Sequence, residues 1–519
     1  MMSRPAAAHP TPASPLTPAR QWLALAVLLL PVLIIAIDNT VLGFAVPDLS
    51  EDLAPTSTQL LWIVDVYAFM LAGLLVTMGT LGDRIGRRRL LLIGAAGFGG
   101  ASALAAFSTS AEMLIVARAL LGIAGATLMP STLSIIRNVF DDRDRRRVAI
   151  GIWTAGFAAG AAIGPVVGGW LLERAWWGSV FLINLPVMAL LLAVGRLLLP
   201  ESRDPSPGRY DLTSSGLSLA AMLPVVYAVK KTAEGGPDPM LAVIAAVGVV
   251  AGIAFVRRQR RLTDPMLDVT LFSHRPFAVA VGTNLLGNFA LIGALFFVAQ
   301  YLQIVLGLGP LSAGAHLVPG MVTAMAASIG VTLLLRRGIP VGWLLGGGLA
   351  IASAGYATMI GLGVADGAGR MVVAMVLVGL GVGAATSIGS NLVMAAVPAE
   401  RAGAASAVSE TAFELGAALG TAVLGSVVTA VYRRGIDLPG DLPAEAAGAA
   451  RETLGGAAHV AADLPAGLAD AVLATARGAF TDGVHVAAMV GAAVTFVVAV
   501  TAVVLLRRVD VDVDAIPDH

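Results

Sequence analysis

Along this chain, apolar stretches of about 18–25 residues alternate with short polar links, and about 20 apolar residues is the length a helix needs to cross ~30 Å of hydrocarbon. The pattern predicts fourteen spans: 22–43, 60–80, 90–107, 112–135, 147–170, 179–199, 213–230, 240–257, 276–299, 311–334, 342–362, 370–396, 403–431 and 482–506. The windows at 213–230 and 240–257 carry the weakest signal, and a re-entrant pair is the alternative there. Hydrocarbon offers no hydrogen bonds to a bare backbone, so runs of this length imply helices. The expected fold class is an all-α integral membrane protein.

Composition agrees. Mean hydropathy is +0.85, and 13% of residues are charged where a soluble domain has about a quarter. The formal net charge is zero, so no overall field points to nucleic acid. With no cysteine, disulfides, thiolate metal sites and cysteine nucleophiles are excluded. Residues 1–20, rich in Pro, Ala, Ser and Thr, read as a disordered tail without the layout of a cleaved signal peptide.

The arginines set orientation. One face of the membrane receives the clusters Arg84–Arg89, Arg143–Arg147, Arg257–Arg261, Arg336–Arg337 and Arg507–Arg508. The other receives Arg174, Lys230, Lys231, Arg370 and four in one long loop: Arg433, Arg434, Arg451 and Arg477. Both termini are therefore expected in the cytoplasm. The loop, 434–480, is either a plain linker or a set of short amphipathic helices.

A weak internal repeat organises the spans. Gly160-Ala-Ala-Ile-Gly164 recurs as Gly416-Ala-Ala-Leu-Gly420, and Leu121-Gly122 matches Val378-Gly379. Arg87-Arg88-Arg89 has a degenerate echo in Arg336-Arg337-Gly338. The spacing suggests a six-helix bundle over 21–200, two accessory spans within 201–275, a second six-helix bundle over 276–508 and a tail at 509–519.

Charged residues inside spans are costly and mark function. Glu410 and Glu414 lie four residues apart, on one face of the thirteenth span. Asp38 lies deep in the first, within Ile37-Asp38-Asn39-Thr40, and Asp65 sits in the second about one turn inside the outer boundary. Arg118, in the fourth, is the one basic residue expected well inside a span. A buried carboxylate can carry a proton or, ionised, neutralise a cation, so competition for one site would couple the two fluxes. Trp62, Tyr67 and Phe413 are candidates for cation–π contact, with interfacial anchoring as the alternative. A static Asp38–Arg118 pair and an interfacial Asp65 are the structural alternatives.

Two further motifs concern shape. In Gly79-Thr80-Leu81-Gly82-Asp83-Arg84-Ile85-Gly86-Arg87, glycines permit a tight turn, and Asp83 can pair with an arginine across the cytoplasmic surface. In Gly156-x3-Gly160-x3-Gly164-Pro165-x2-Gly168-Gly169, the glycines form a close-packing stripe beside a proline bend.

On these residues the chain resembles the major facilitator superfamily, and within it the fourteen-span drug:proton antiporters that export quaternary ammonium compounds, dyes and fluoroquinolones from bacteria. The resemblance runs from Gln21 to Arg508. It implies two six-helix bundles plus two accessory helices and a place in the bacterial inner membrane. It also implies monomeric function and the proton gradient as energy source, with no cofactor and no enzymatic step. By the resemblance, Asp38 is essential for proton coupling and Arg118 assists. Asp65, Glu410 and Glu414 serve protonation and substrate recognition, and Gly164-Pro165 limits leak. The tenth span holds His316 and no acid, which argues against efficient export of dications. A same-fold exporter of one physiological cargo (an antibiotic or an envelope lipid) and a non-transporting membrane sensor are the rival readings.

Overall fold

The computed structural model describes residues 17–140, 142–201, 211–262, 265, 267–364, 367–395 and 402–506, and among these there is no strand. Among the described residues, fourteen helical segments are long and apolar enough to cross a membrane, so the chain is a multi-pass membrane protein. The expected tails at 1–16 and 509–519 lie outside the described residues, as do Arg203, Arg209, Arg401, Arg507 and Arg508. Residues 18–20 already belong to the first helix.

The first half comprises α1 (Pro18–Leu53), α2 (Ser57–Ile85), α3 (Arg87–Ala106), α4 (Ala111–Val139) and α5 (Arg143–Leu172), with α6 (Ser179–Leu182) and α7 (Asn184–Leu198) together forming the sixth span. Then come α8 (Leu212–Gly235) and α9 (Pro239–Gln259). The second half comprises α10 (Arg275–Gln300), prolonged by a π-helical turn Tyr301–Val305, then α11 (Pro310–Arg336), α12 (Val341–Met359), α13 (Ala368–Ala395) and α14 (Ala402–Gly435). It ends with α15 (Ala444–Glu452), α16 (Leu454–Ala462) and α17 (Ala466–Leu506).

Helix ends follow the local sequence. Thr56 and Gln59 form a reciprocal capping box at the start of α2, and the Ser110, Asp142 and Asp211 side chains cap α4, α5 and α8. Residues 213–230 and 240–257 are full helices, not a re-entrant pair. Two short helices occupy the expected outer loop, and the last span starts at Ala466 instead of 482. Arg433 and Arg434 accordingly end α14, and Arg477 lies within α17, where it donates to the Ile304 carbonyl at 2.9 Å.

The two halves repeat one packing order. In the first, α1 packs on α5, α2 on α4, and α3 on both α4 and α7; in the second, α10 packs on α14, α11 on α13, and α12 on both α13 and α17. The repeated glycines explain why. A side chain at Gly160 would strike the Leu33 backbone of α1, and one at Gly416 the Leu285 backbone of α10. Gly122 lies against the Tyr67 carbonyl and Gly379 against that of Gly320. Without a hydrophobic drive between helices in lipid, this close approach is what holds them.

The helix α8 lies against both α2 and α14, bridging the seam between the halves, while α9 leans chiefly on α8. Of α9, only Gly248 and Gln259 are buried, and its valines face outward as lipid contacts require. The inner end of this hairpin is pinned by Arg258 on Asp211 at 2.9 Å and Gln259 on Ser214 at 2.6 Å. Burial pushes the Asp211 carboxyl up, but hydrogen bonds from Arg258 and Ser214 hold it below its ordinary range.

Candidate functional site

The site grows from one close approach. With only hydrogen at Gly122, α4 meets α2 at Tyr67, and one turn earlier this delivers Arg118 into the bundle. There its guanidinium donates to Asp38 of α1 at 2.6 Å and to the Ile63 carbonyl of α2 at 3.1 Å. It also stands 4.5 Å over the Tyr67 ring. Asp38 and Arg118 are each 2% exposed. Asp38 Oδ1 and the Tyr67 hydroxyl are sealed from solvent without a hydrogen-bond partner among the described residues. The geometry thus realises the Asp38–Arg118 pair.

Asp65 departs from an interfacial position. It is 1% exposed and lies 2.9 Å from the ammonium of Lys230. That lysine, expected at the outer boundary, is enclosed because α8 continues to Gly235. Arg118 is therefore not the one basic group inside the bundle. Both Asp65 oxygens and the Lys230 nitrogen are sealed from solvent, so the pair is wholly enclosed. The ammonium also sits 4.3 Å over the Trp62 ring, and the Thr421 hydroxyl of α14 faces the Asp65 carboxylate. Lys230 and Thr421 are the residues that sequence reasoning missed. The available signal was Asp65 itself, a buried acid in need of a counter-ion.

Glu410 and Glu414 present the opposite case. Glu414 is buried and Glu410 half-buried, the two within electrostatic range of each other, and Glu414 also within range of Tyr67. Among the described residues, neither carboxylate has an ion-pair or hydrogen-bond partner. Their helix is held to α10 by Asn288, which donates to the Phe413 carbonyl at 2.7 Å, and Asn284, which donates to Ser409 at 2.9 Å. Of the three candidate aromatics, Trp62 and Tyr67 already face internal cations, and Phe413 is half-buried.

Asp38, Asp65, Arg118, Tyr67 and Glu414 therefore share one interior region, while the Gly79–Arg87 motif stands at the arginine-rich end. Asp83 pairs with Arg87 one turn on, at 2.5 Å, and among the described residues not with an arginine across the surface. Gly86 turns the chain at φ 106, and the carboxylate of Glu201 fills the space where its side chain would project. That carboxylate accepts the Arg88 amide at 3.0 Å. Arg84 is exposed, and Gly79 has only ordinary clearance from Pro130.

The glycine stripe of α5 packs on α1. Side chains at Gly156, Gly160, Gly164 and Gly168 would meet Leu29, Leu33, Thr40 and Val41 in turn. At its C-terminal end the stripe crosses to the second half: Gly169 lies against Pro310 and Leu311, and Gly314 against the Pro165 carbonyl. Other contacts between the halves gather at this end. Gln303 donates to the Phe44 carbonyl at 3.2 Å, and Gly455 sits on Ser50. Glu452 accepts from the Ser57 amide at 3.1 Å and from Arg433 at 2.7 Å. These contacts join the two halves at the end opposite the arginine clusters.

The chain is 51% identical over 498 residues to the multidrug efflux pump LfrA of Mycolicibacterium smegmatis, covering 96% of this chain and 99% of the relative. It is 36% identical over 447 residues to the methyl viologen resistance protein SmvA of Salmonella typhimurium, with 85% and 89% covered. A bacterial homologue of the human lysosomal transporter Spinster shares the fold at TM-score 0.64 and 18% identity, with 94% and 99% covered. The model of the Major Facilitator Superfamily matches residues 28–421, and the chain belongs to that superfamily.

Proposed function

We propose that this protein exports lipophilic cations, quaternary ammonium compounds and cationic dyes among them, from the bacterial cytoplasm or inner leaflet in exchange for protons. The observation that carries the reading is the Glu410–Glu414 pair, two carboxyl groups inside the bundle with no counter-ion among the described residues. Such groups must take a proton or a cation to lie in a low-dielectric interior. The relatives named for multidrug efflux and methyl viologen resistance support the cationic cargo.

In this cycle, the form sealed at the outer face accepts a cation from the arginine-rich, cytoplasmic side. Rocking of the halves exposes it outside, where protonation of the glutamates lowers its affinity. Asp38 and Arg118 carry the coupling between proton and conformation, and the Gly164–Pro165 stripe keeps the outer seam closed to leak. The protein works as a monomer in the inner membrane, with both termini cytoplasmic and the proton gradient in place of a cofactor.

The test uses purified protein in liposomes under an imposed pH gradient, following ethidium and internal pH together. Ethidium moving against the proton flux in the native chain, and stopping in Asp38→Asn, is the expected result. Ethidium flux indifferent to the gradient would overturn proton exchange. A single cargo accepted from a panel of unrelated cations would replace broad efflux with dedicated export.

A further inference from the structure

Asp65 and Trp62 together make a receptor for an organic cation: a carboxylate for charge and an indole face for cation–π attraction. The receptor is filled by the protein itself. Lys230 reaches in from α8, its ammonium 2.9 Å from Asp65 and 4.3 Å from the centre of the Trp62 ring, with its side chain fully enclosed. We propose that Lys230 is a tethered internal cation that competes with cationic cargo for Asp65 and so sets how strongly charge is recognised. The inference rests on the cation-export reading above and adds a residue that controls its selectivity.

Three features support displacement over permanent bracing. The ammonium is held by one carboxylate alone: Lys230 has no second hydrogen-bond acceptor or ion-pair partner among the described residues. The lysine stem is flexible and its head compact, unlike the forked and fully engaged Arg118. And Lys230 comes from α8, which touches both α2 and Thr421's helix, so any sliding of the halves past each other shifts its reach to Asp65. When a cargo cation leaves, the ammonium can return, and Asp65 is never left as a bare buried charge.

A tethered group that fills a site nine times in ten weakens a competing ligand about tenfold. The experiment measures ethidium binding to the purified chain, with uncharged Nile red as the control ligand. Lys230→Met should tighten ethidium about tenfold and leave Nile red unchanged, Lys230→Arg should resemble the native chain, and Asp65→Asn/Lys230→Met should cancel the gain. Lys230→Gln replaces the methionine variant if that one does not fold. Ethidium affinity within about twofold of native in Lys230→Met, or both ligands weakened alike, overturns the proposal. If the native chain exports ethidium and Lys230→Met changes nothing, this proposal alone falls. If the native chain neither binds nor moves any cation, the export reading falls and takes the proposal with it.

Discussion

The acids of the first half and those of the second half live under different rules. Asp38 and Asp65 each hold an internal cation, Arg118 and Lys230, and both pairs are buried. Glu410 and Glu414 share a helix and hold none among the described residues. An ion pair removed from water is balanced only while both partners remain, so the first half carries commitments that any substrate or proton must break. The second half has two groups free to accept whatever arrives.

The largest break in that contrast is Arg118→Leu. It strands Asp38 without a counter-ion and should cost about 3–5 kcal/mol, read as a lower thermal unfolding midpoint in detergent. Adding Asp38→Asn should recover much of the loss. An Arg118→Leu protein as stable as the native one would show that the pair does not hold the first half together. Next come the matched glycines. Gly160→Val and Gly416→Val each push a side chain into a neighbouring backbone, at about 1–3 kcal/mol for overpacking. Similar losses in both would confirm that the halves share one packing logic, and a harmless Gly416→Val would separate them.

Glu414→Gln removes an unpaired acid and strands nothing, so the protein should stay folded. Its export of cationic substrates should fall about tenfold, equivalent to ~1.4 kcal/mol, with zwitterionic substrates less affected. Equal loss for both classes in a liposome assay would assign Glu414 to the proton instead of the cargo. The smallest effect is expected from Glu452→Gln, a part-exposed pair worth about 0.2–1 kcal/mol. It should raise the accessibility of a cysteine placed at Ser50 to a membrane-impermeant reagent, and unchanged labelling would deny that Glu452 helps seal the outer face.

The spans were legible because hydrocarbon thickness sets their length, and the glycine repeats because close helix approach leaves few alternatives. Asp38 and Arg118 were each visible as charges out of place, and their pairing was one of the readings the sequence offered. Lys230 was not legible: beside Lys231 near the end of a span it reads as an interfacial anchor, and burial depends on α8 running on to Gly235 and on its seat between α2 and α14. Asp83 misled in a different way. The sequence allows any nearby arginine as its partner, and the helical turn to Arg87 is the one that wins. The early start of α17 was hidden because Asp470, Arg477 and Asp482 interrupt the apolar run without interrupting the helix.

The outer hairpin of α15 and α16 belongs to the second half by chain connection, yet it sits on the first through Ser50 and Ser57. Under alternating access, every opening toward the outside must lift it off, and every closing must seat it again. That work is the same whichever molecule is carried. Chemically unrelated cargoes would then share one ceiling on turnover number, fixed by a segment that none of them touches.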